Sequence, residues 1–296
     1  MDNNHGPGSD KDDLSPGTYF TVGYPTALQR AAEQTLWSLA NAQTNSTVHI
    51  VVPFSRKQDF MPLGAAAYGR ADFMVPGELE CDFETFYQKL QQARERNADT
   101  YHCEPFAVVV MSEGVNRGNE TGFFGEYAPE ELVEFARKYA KTDPFGNIKF
   151  RPELVALMAE ETILARAKDE TGRRKITKVT SRAPTYMLRD GPGIPIDQRM
   201  GAELAEKCLD LVAENEFGQM ATVRWDDKIN DFTTDSVPIP EASKERYVKE
   251  TGFFDPDSWT ATDKFFSYAC RFMGGPPERR DYLFDAGKYK KAMPVE

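Results

Sequence analysis

The sequence predicts an α/β fold built around a mostly parallel sheet. Two runs of strand length, T-V-H-I-V-V-P-F (47–54) and P-F-A-V-V-V-M-S (105–112), are rich in β-branched and apolar residues. A shorter strand is expected at D-F-M-V-P-G (72–77), and the segments between these runs have the apolar spacing of helices. Strand, helix, strand, helix and strand in succession indicate βαβ units. We therefore expect a Rossmann-like, doubly wound sheet whose uninterrupted run at 105–112 is covered on both faces.

The early helices are placed by their first residues and by apolar spacing. Pro25 suits the first turn of a helix, and Leu28 and Ala32 follow at helical intervals. A second helix is expected at about 59–69, and a third begins at Asp82, a residue type that favours helix starts.

The chain after residue 112 alternates between loops and further regular elements. The elements expected there are a glycine-rich loop at 113–126, helices at about 129–141 and 151–168, a strand at 175–180 and a hairpin of 218–225 with 231–239.

Composition divides the chain into three regions. Residues 1–17 are polar and rich in Gly, Asp and Asn, which predicts a flexible N-terminal segment. Residues 18–240 contain the strand and helix pattern and are expected to form the α/β domain. Residues 241–296 predict a helical, loop-rich extension that packs on it.

Charge and cysteine content narrow the class of protein. A formal net charge of −11 and a pI of about 5.0 argue against a nucleic-acid or membrane-surface partner. The four cysteines are far apart without a C-x-x-C pair, which predicts free thiols in a reducing cytoplasm. The three histidines lack metal-ligand spacing, and no apolar run reaches membrane-spanning length. We expect a soluble, cytoplasmic protein.

The densest group of special residues is R-A-P-T-Y-M-L-R-D-G-P-G-I-P-I-D-Q-R (182–199). Its prolines and glycines predict a shaped loop, and Arg182, Arg189 and Arg199 give that loop cationic side chains for a phosphate or carboxylate. A tight strand-to-helix connection with surface arginines is the alternative. Asp197 is expected to cap the amphipathic helix that follows.

Two other segments are candidates for the same site. In doubly wound folds, ligands lie beyond the carboxyl ends of the strands. That position is taken here by the residues after the two apolar strands, at 54–57 and 112–117.

Several of these stretches resemble the 6-phosphofructokinase family. S-E-G-V (112–115) is similar to its A-E-G strand end, A-P-T-Y-M-L-R (183–189) to D-P-T-Y-M-I-R, and G-P-G-I-P-I-D-Q-R to its glycine-rich turn ending in D-R. T-V-G-Y-P-T-A-L, M-D-N-N and V-V-P-F-S-R resemble t-x-G-f-d-T-A, the end of T-I-D-N-D, and v-E-V-M-G-R. The resemblance runs from residue 2 to about 240, in the family's order.

The resemblance implies only the sugar-phosphate half of a family enzyme. The family's other half has a G-G-D-x-P-G loop for the nucleotide or pyrophosphate and a magnesium aspartate, and we find neither here. We therefore expect the donor-binding half to be missing from this chain and the chain alone to be inactive. A fragment, a split enzyme completed by a partner subunit and a lost activity are all consistent with that. Mg²⁺ is implied by the family, without an identified ligand.

The resemblance assigns roles to individual residues. Asp2 matches the catalytic base, Glu113 a glutamate that accepts sugar hydroxyl hydrogen bonds, and Arg189 the arginine that holds the sugar phosphate. Tyr186 would lie beside Arg189 and donate its phenolic hydrogen; a strand residue half buried in the core is the alternative. Arg56 matches the arginine of the M-G-R motif.

Two arginines with which the family reaches the sugar phosphate across a subunit interface are replaced by Thr47 and Thr180. Arg182 or Lys178 could compensate for one of them. A charge-assisted hydrogen bond contributes about 1.5–3 kcal/mol, so uncompensated losses would weaken phosphate binding by roughly two to four orders of magnitude.

Three functions follow as hypotheses. The first is an enzyme that moves a phosphoryl group from ATP or pyrophosphate to fructose 6-phosphate, giving fructose 1,6-bisphosphate. The second is a non-catalytic sugar-phosphate-binding, regulatory or assembly subunit. The third is an unrelated α/β domain with an anion-binding loop. Under the first two we expect a homo- or hetero-oligomer, since a separated lobe would expose apolar surface.

Overall fold

A computed structural model of the chain describes residues 17–55, 58–116, 122–139, 141–142, 148–149, 151–168, 176–242 and 244–285. The N-terminal segment predicted to be flexible lies outside these ranges, apart from Gly17. The helices are α1 (Tyr24–Asn45), α2 (Phe60–Tyr68), α3 (Phe83–Tyr101), α4 (Glu130–Tyr139), α5 (Pro152–Arg166), α6 (Pro195–Ala213), α7 (Ile239–Ala242) and α8 (Asp263–Met273). The strands are β1 (Val48–Val51), β2 (Phe73–Val75), β3 (Ala107–Met111), β4 (Lys141–Thr142), β5 (Ile148–Lys149), β6 (Val179–Arg182), β7 (Gln219–Asp226), β8 (Asp231–Pro238), β9 (Phe254–Asp255) and β10 (Thr260–Ala261).

A parallel four-stranded sheet forms the centre of the fold, in the order β2-β3-β1-β6. All five residues of β3, Ala107–Met111, have no exposed surface. Because successive side chains of a strand point to opposite faces, both faces of the sheet are covered there. The predicted parallel α/β sheet is confirmed.

The fourth strand lies further along the chain than predicted. A strand was expected at 175–180, but β6 covers Val179–Arg182, with Val48 opposite Val179 and Val51 opposite Arg182. Val179 is buried and the other three residues are partly exposed, as suits an edge strand. Pairing with the buried β1, and not local β propensity, sets where this strand begins and ends.

The predicted hairpin is confirmed. Strands β7 and β8 pair in antiparallel register over their whole length, from Gln219 opposite Pro238 to Asp226 opposite Asp231. The hairpin packs against α6, and its Val223 and Phe232 belong to the main core.

Residues after 250 contribute aromatic side chains to the same core. Tyr268 stacks on Tyr19 with ring centroids 4.8 Å apart, and each hydroxyl donates to the other residue's carbonyl oxygen at 3.1 Å. Helix α8 ends before Gly274, whose carbonyl accepts a hydrogen bond from the Tyr68 hydroxyl at 2.9 Å. Within the described residues, no helix has the length and apolarity needed to cross a membrane.

Candidate functional site

The candidate site is the edge of the sheet where β1, β2, β3 and β6 end. Parallel strands bring their carboxyl ends to one edge, so the segments after these strands are neighbours. The backbone N–H of Phe54 donates to the carbonyl of Pro184 at 3.2 Å, and that of Ser55 donates to Oε2 of Glu113 at 3.0 Å. Three of the predicted segments therefore meet at this edge.

The sequence predicted that Asp197 caps the helix it belongs to, but in the structure it caps a different helix. Helix α6 begins at Pro195, and the side chain of Asp197, 4% exposed, turns towards the start of α1. Its carboxylate accepts the N–H of Gly23 at 2.7 Å, the N–H of Thr26 at 2.8 Å and the Thr26 hydroxyl. Pro25 has no N–H and Gly23 no side chain, so α1 depends on Asp197 for its cap.

The glycine-proline turn before α6 is held against α1. Arg30 donates to the carbonyl of Leu188 at 3.3 Å and to that of Pro192 at 2.9 Å. The N–H of Ile194 donates to the Thr26 hydroxyl at 2.9 Å. Gly191 has φ of 77°, the left-handed conformation that the sequence predicted for a shaped loop.

Arg189 is half buried at the start of this turn. Its guanidinium carbon lies 4.3 Å from the ring centroid of Phe54, a cation–π contact between the loops after β6 and β1. Its Nη2 is buried and has no hydrogen-bond partner within the described part of the chain. The side chain therefore has donor capacity that an anion could use.

Tyr186 is not the half-buried strand residue of the alternative interpretation. It begins a short 3-10 turn, Tyr186–Leu188, and is 70% exposed. Leu188, at 2% exposure, is the residue by which this turn is anchored in the core. The Tyr186 ring lies 6.3 Å from that of Phe54, so Tyr186 and Arg189 contact the same aromatic side chain.

Glu113 lies directly after β3 and is 5% exposed. It begins the 3-10 turn Glu113–Asn116, and its acceptance of the Ser55 N–H fixes the segment after β1. This position at a strand end suits a carboxylate that accepts sugar hydroxyl groups, but part of its hydrogen-bonding capacity is already used.

Of the two threonines at the positions of family arginines, Thr47 immediately precedes β1 and Thr180 lies on the edge strand β6. Thr47 is 2% exposed, so it cannot reach a ligand in solvent, while Thr180 lies opposite His49 on partly exposed β6. Burial, with contributions from Arg182 and Lys178, lowers the pKa of His49 to about 4. Arg182 is the last residue of β6, at the carboxyl edge of the sheet.

Sequence reasoning missed a pair of buried carboxylates at this edge. Oδ2 of Asp59 accepts the N–H groups of Gly77 and Glu78 at 2.8 and 2.9 Å, and Oε1 of Glu78 accepts the N–H of Asp59 at 2.8 Å. Burial and the Glu78 charge raise the pKa of Asp59 to about 6. The signal that could have found the pair is an Asp immediately before the apolar helix α2, with Gly-Glu after β2.

Two predicted site residues, Asp2 and Arg56, lie outside the described residues. Among the residues that are described, no group of three or more His, Cys, Asp or Glu side chains could hold a metal ion. We therefore assign no magnesium ligand to the described residues.

Comparison with known proteins gives a family match. The family model described as Phosphofructokinase matches residues 7–212, more than half of the chain.

Curated relatives share about a quarter of aligned positions. A pyrophosphate–fructose 6-phosphate 1-phosphotransferase of Dictyoglomus thermophilum is 25% identical over 216 residues, 72% of this chain and 53% of the relative. An ATP-dependent 6-phosphofructokinase of Enterococcus faecalis is 27% identical over 142 residues, 48% of this chain and 40% of the relative. ATP-dependent 6-phosphofructokinase 1 of Synechocystis is 25% identical over 226 residues, which are 76% of this chain and 52% of the relative. The chain thus spans about half the length of these relatives.

Solved structures show the same fold. The pyrophosphate-dependent phosphofructokinase of Nitrosospira multiformis superposes with a TM-score of 0.64 at 16% identity, over 94% of this chain and 59% of that one. The pyrophosphate-dependent phosphofructokinase of Marinobacter aquaeolei gives a TM-score of 0.59 at 14% identity, over 91% of this chain and 59% of that one.

Proposed function

Because this chain belongs to the phosphofructokinase family, we propose that it supplies the fructose 6-phosphate site of a 6-phosphofructokinase-type phosphotransferase. The reaction would transfer a phosphoryl group from ATP or pyrophosphate to the sugar, giving fructose 1,6-bisphosphate. The observation that carries the proposal is Arg189, half buried at the carboxyl edge of the sheet with an unpartnered Nη2. Family membership decides against the third hypothesis, an unrelated α/β domain.

The sugar phosphate would bind at the loop after β6. Arg189 would donate paired hydrogen bonds to its oxygens, and Arg182, at the end of β6, would add a second positive charge. Tyr186, exposed beside Phe54, would donate its phenolic hydrogen. The resemblance gives Arg56 a role as a further cationic group for the sugar. The overall charge of −11 makes such a local cationic group necessary for an anionic ligand.

Glu113 would accept hydrogen bonds from sugar hydroxyl groups at the opposite side of the same edge. Oε2 of this carboxylate accepts the Ser55 N–H, so a sugar hydroxyl group would share the carboxylate with the loop after β1. Sugar binding would therefore depend on the same carboxylate that fixes the loop after β1.

Catalysis would add two groups to this binding site. Asp2 is proposed as the base that takes the proton from the reacting sugar hydroxyl, which requires hydrogen-bond reach of that group. Mg²⁺ would neutralise charge on the transferring phosphoryl group. The curated relatives include ATP-dependent and pyrophosphate-dependent enzymes, so either donor fits the proposal.

Exposed apolar side chains and free cysteines support proposals about oligomeric assembly and cellular location. We propose a homo- or hetero-oligomer, supported by exposed apolar side chains at the end of α6, in the turn after it and at the start of α7: Leu209, Val212, Phe217 and Ile239. The four free cysteines support a reducing, cytoplasmic setting.

A second candidate function is a non-catalytic sugar-phosphate-binding, regulatory or assembly subunit. The buried Thr47 favours it, because a side chain that is 2% exposed offers nothing in place of a family arginine. Weakened phosphate binding would suit a sensor or an assembly partner better than an efficient enzyme.

Calorimetric titration with fructose 6-phosphate tests the binding site. We expect an affinity in the micromolar to sub-millimolar range, and a loss of at least about tenfold in Arg189→Ala, because a charge-assisted hydrogen bond is removed. Arg280→Ala is the matched control, since Arg280 is 71% exposed and, among the described residues, its ion pair is a 4.0 Å contact with the exposed Glu278. Equal weakening in both variants, or no binding by the folded wild type, would contradict the proposal.

A coupled assay for fructose 1,6-bisphosphate separates the two candidate functions. Wild type is incubated with fructose 6-phosphate, Mg²⁺ and either ATP or pyrophosphate. Turnover that Arg189→Ala lacks supports the enzyme and contradicts the non-catalytic subunit. Binding in the calorimeter without turnover fits both the non-catalytic subunit and a split enzyme whose donor-binding half is on another chain, so turnover is the result that decides between them.

A further inference from the structure

We infer that Phe54 is a positioning residue for Arg189: its ring holds the guanidinium so that the N–H donors stay available to an anion. The inference rests on the proposed function for its consequence, phosphate binding, but the contact itself can be tested without a ligand. It assigns a role to the segment after β1 that depends on aromatic character and not on charge.

The first observation is the contact between the two side chains. The Arg189 guanidinium carbon lies 4.3 Å from the Phe54 ring centroid, well inside the roughly 6 Å range of a cation–π interaction. Arg189 makes no side-chain hydrogen bond or ion pair with any other described residue, although its Nη2 is buried. The ring is thus the contact that restrains this guanidinium within the described structure.

The chemistry of the two groups explains why such a contact would serve binding. A guanidinium is planar, with all five N–H donors in its plane, and an aromatic ring attracts it through its face. That attraction uses no N–H donor. An arginine restrained in this way keeps its fork of donors for phosphate oxygens and loses less side-chain freedom when it binds them.

The position of the Phe54 ring is fixed by hydrogen bonds of the backbone at residues 54 and 55. The Phe54 N–H donates to the Pro184 carbonyl at 3.2 Å, and the next N–H, of Ser55, donates to Glu113 at 3.0 Å. The Tyr186 ring lies 6.3 Å from Phe54 at an interplanar angle of 34°. Phe54 is therefore held against the loop after β6, and the residue next to it against the loop after β3, which makes the ring a fixed support for Arg189.

Replacing the ring separates aromatic support from simple bulk. Phe54→Leu keeps an apolar side chain but removes the ring face, and Phe54→Tyr keeps the face. We expect Phe54→Leu to weaken fructose 6-phosphate binding about three- to tenfold and Phe54→Tyr to stay within about twofold of wild type, given the strength of a cation–π contact.

The contact is read without ligand from the side-chain Nε–Hε signal of Arg189 in a nitrogen–proton NMR spectrum, assigned by its loss in Arg189→Lys. Ring current from Phe54 should displace this signal in wild type and Phe54→Tyr, and Phe54→Leu should return it towards the position of exposed arginines. Backbone signals of the same spectra show that each variant is folded.

The outcomes are distinguishable. An unchanged Arg189 signal in folded Phe54→Leu would overturn the inference, as would equal affinity of Phe54→Leu and wild type for fructose 6-phosphate. The expected signal change without any binding by wild type would support the positioning role and would count against the proposed function instead.

Discussion

Arg279 donates to Oδ1 of Asp72 at 2.8 Å, so a residue near the end of the described chain is paired with a fully buried carboxylate at the start of β2. The same carboxylate accepts hydrogen bonds from Arg96 at 3.1 Å, from the Asn97 side chain at 3.0 Å and from the Val108 N–H at 2.8 Å. Asp72 thereby joins the C-terminal segment, α3 and β3 at one point.

The first prediction concerns the hydrogen bonds of Asp72. Asp72→Ala should lower the free energy of unfolding by about 3–5 kcal/mol, because it leaves the Arg279 charge without its buried partner. Arg96→Ala is the control: Arg96 is 57% exposed and Asp72 keeps its bonds to Arg279, Asn97 and Val108, so the loss should be smaller, on the order of 1 kcal/mol. Urea denaturation measures both. Similar losses of unfolding free energy in the two variants would contradict the role of Asp72 in connecting these three segments.

The second prediction concerns the cap that α6 provides for α1. Asp197→Ala should remove the acceptor of three hydrogen bonds and destabilise the protein by about 2–4 kcal/mol. Hydrogen exchange at the Gly23 and Thr26 amides should accelerate more than exchange in β3. Fructose 6-phosphate binding should weaken too, since Thr26 also accepts the N–H of Ile194 from the binding turn.

A matched control for this prediction is available on the same helix. Asp210 is an exposed α6 residue, and Asp210→Ala should leave both amides and the stability nearly unchanged. Unaltered exchange at Gly23 and Thr26 in Asp197→Ala would contradict the capping role.

These contacts indicate how far the sequence predicts the molecule. Strand β3 was predicted because Ala107–Met111 is apolar throughout, and the β7–β8 hairpin because two patterned runs flank a polar turn. In both cases the local residue pattern and the tertiary environment require the same structure. The loop before α6 was predictable for the same reason, since the φ of 77° at Gly191 matches its residue type.

The features that sequence reasoning missed are contacts between distant segments. Asp197 has the position of a possible cap for α6, and only the packing of α1 against α6 shows that it caps the other helix. The sequence placed residue 54 in a candidate segment, 54–57, but did not pair it with Arg189, because that contact joins residues 135 positions apart. The pattern of residues within one segment does not predict a contact with a side chain of a distant segment.

The third prediction is a pH dependence caused by His49. Its pKa is lowered to about 4 in the folded protein, chiefly by burial, from an ordinary value of 6.5. Between these values the unfolded chain binds a proton that the folded chain does not, so stability falls as the pH falls from 6.5 towards 4. Neither ring nitrogen has a hydrogen-bond partner among the described residues, so folding offers no compensation for the charge.

His49→Phe removes this titration while keeping a ring of similar shape. Its unfolding free energy, measured by urea titration at several pH values, should fall less steeply than that of wild type over the window from 6.5 to 4. His102→Phe is the control, because His102 is exposed. Parallel curves for wild type and His49→Phe would contradict the assignment.

The fourth prediction has the opposite sign and comes from Asp59. Its pKa is raised to about 6 in the folded protein from an ordinary 3.8, by burial and then by the charge of Glu78. The folded chain therefore binds the proton more tightly, and this contribution to stability is complete below pH 3.8 and is lost as the pH rises through 6. Around pH 4–6 the effects of His49 and Asp59 oppose one another.

Asp59→Asn isolates this effect. An asparagine oxygen can still accept the Gly77 and Glu78 N–H groups, while its NH₂ group takes the place of Oδ1, which has no hydrogen-bond partner in the described structure. The variant should lose the Asp59 contribution, so its stability should rise more steeply than that of wild type between pH 4 and 6. Asp59→Asn combined with His49→Phe should be flatter than Asp59→Asn alone. A slope unchanged from wild type in Asp59→Asn would mean that burial and the Glu78 charge do not raise the pKa of Asp59 in the folded protein.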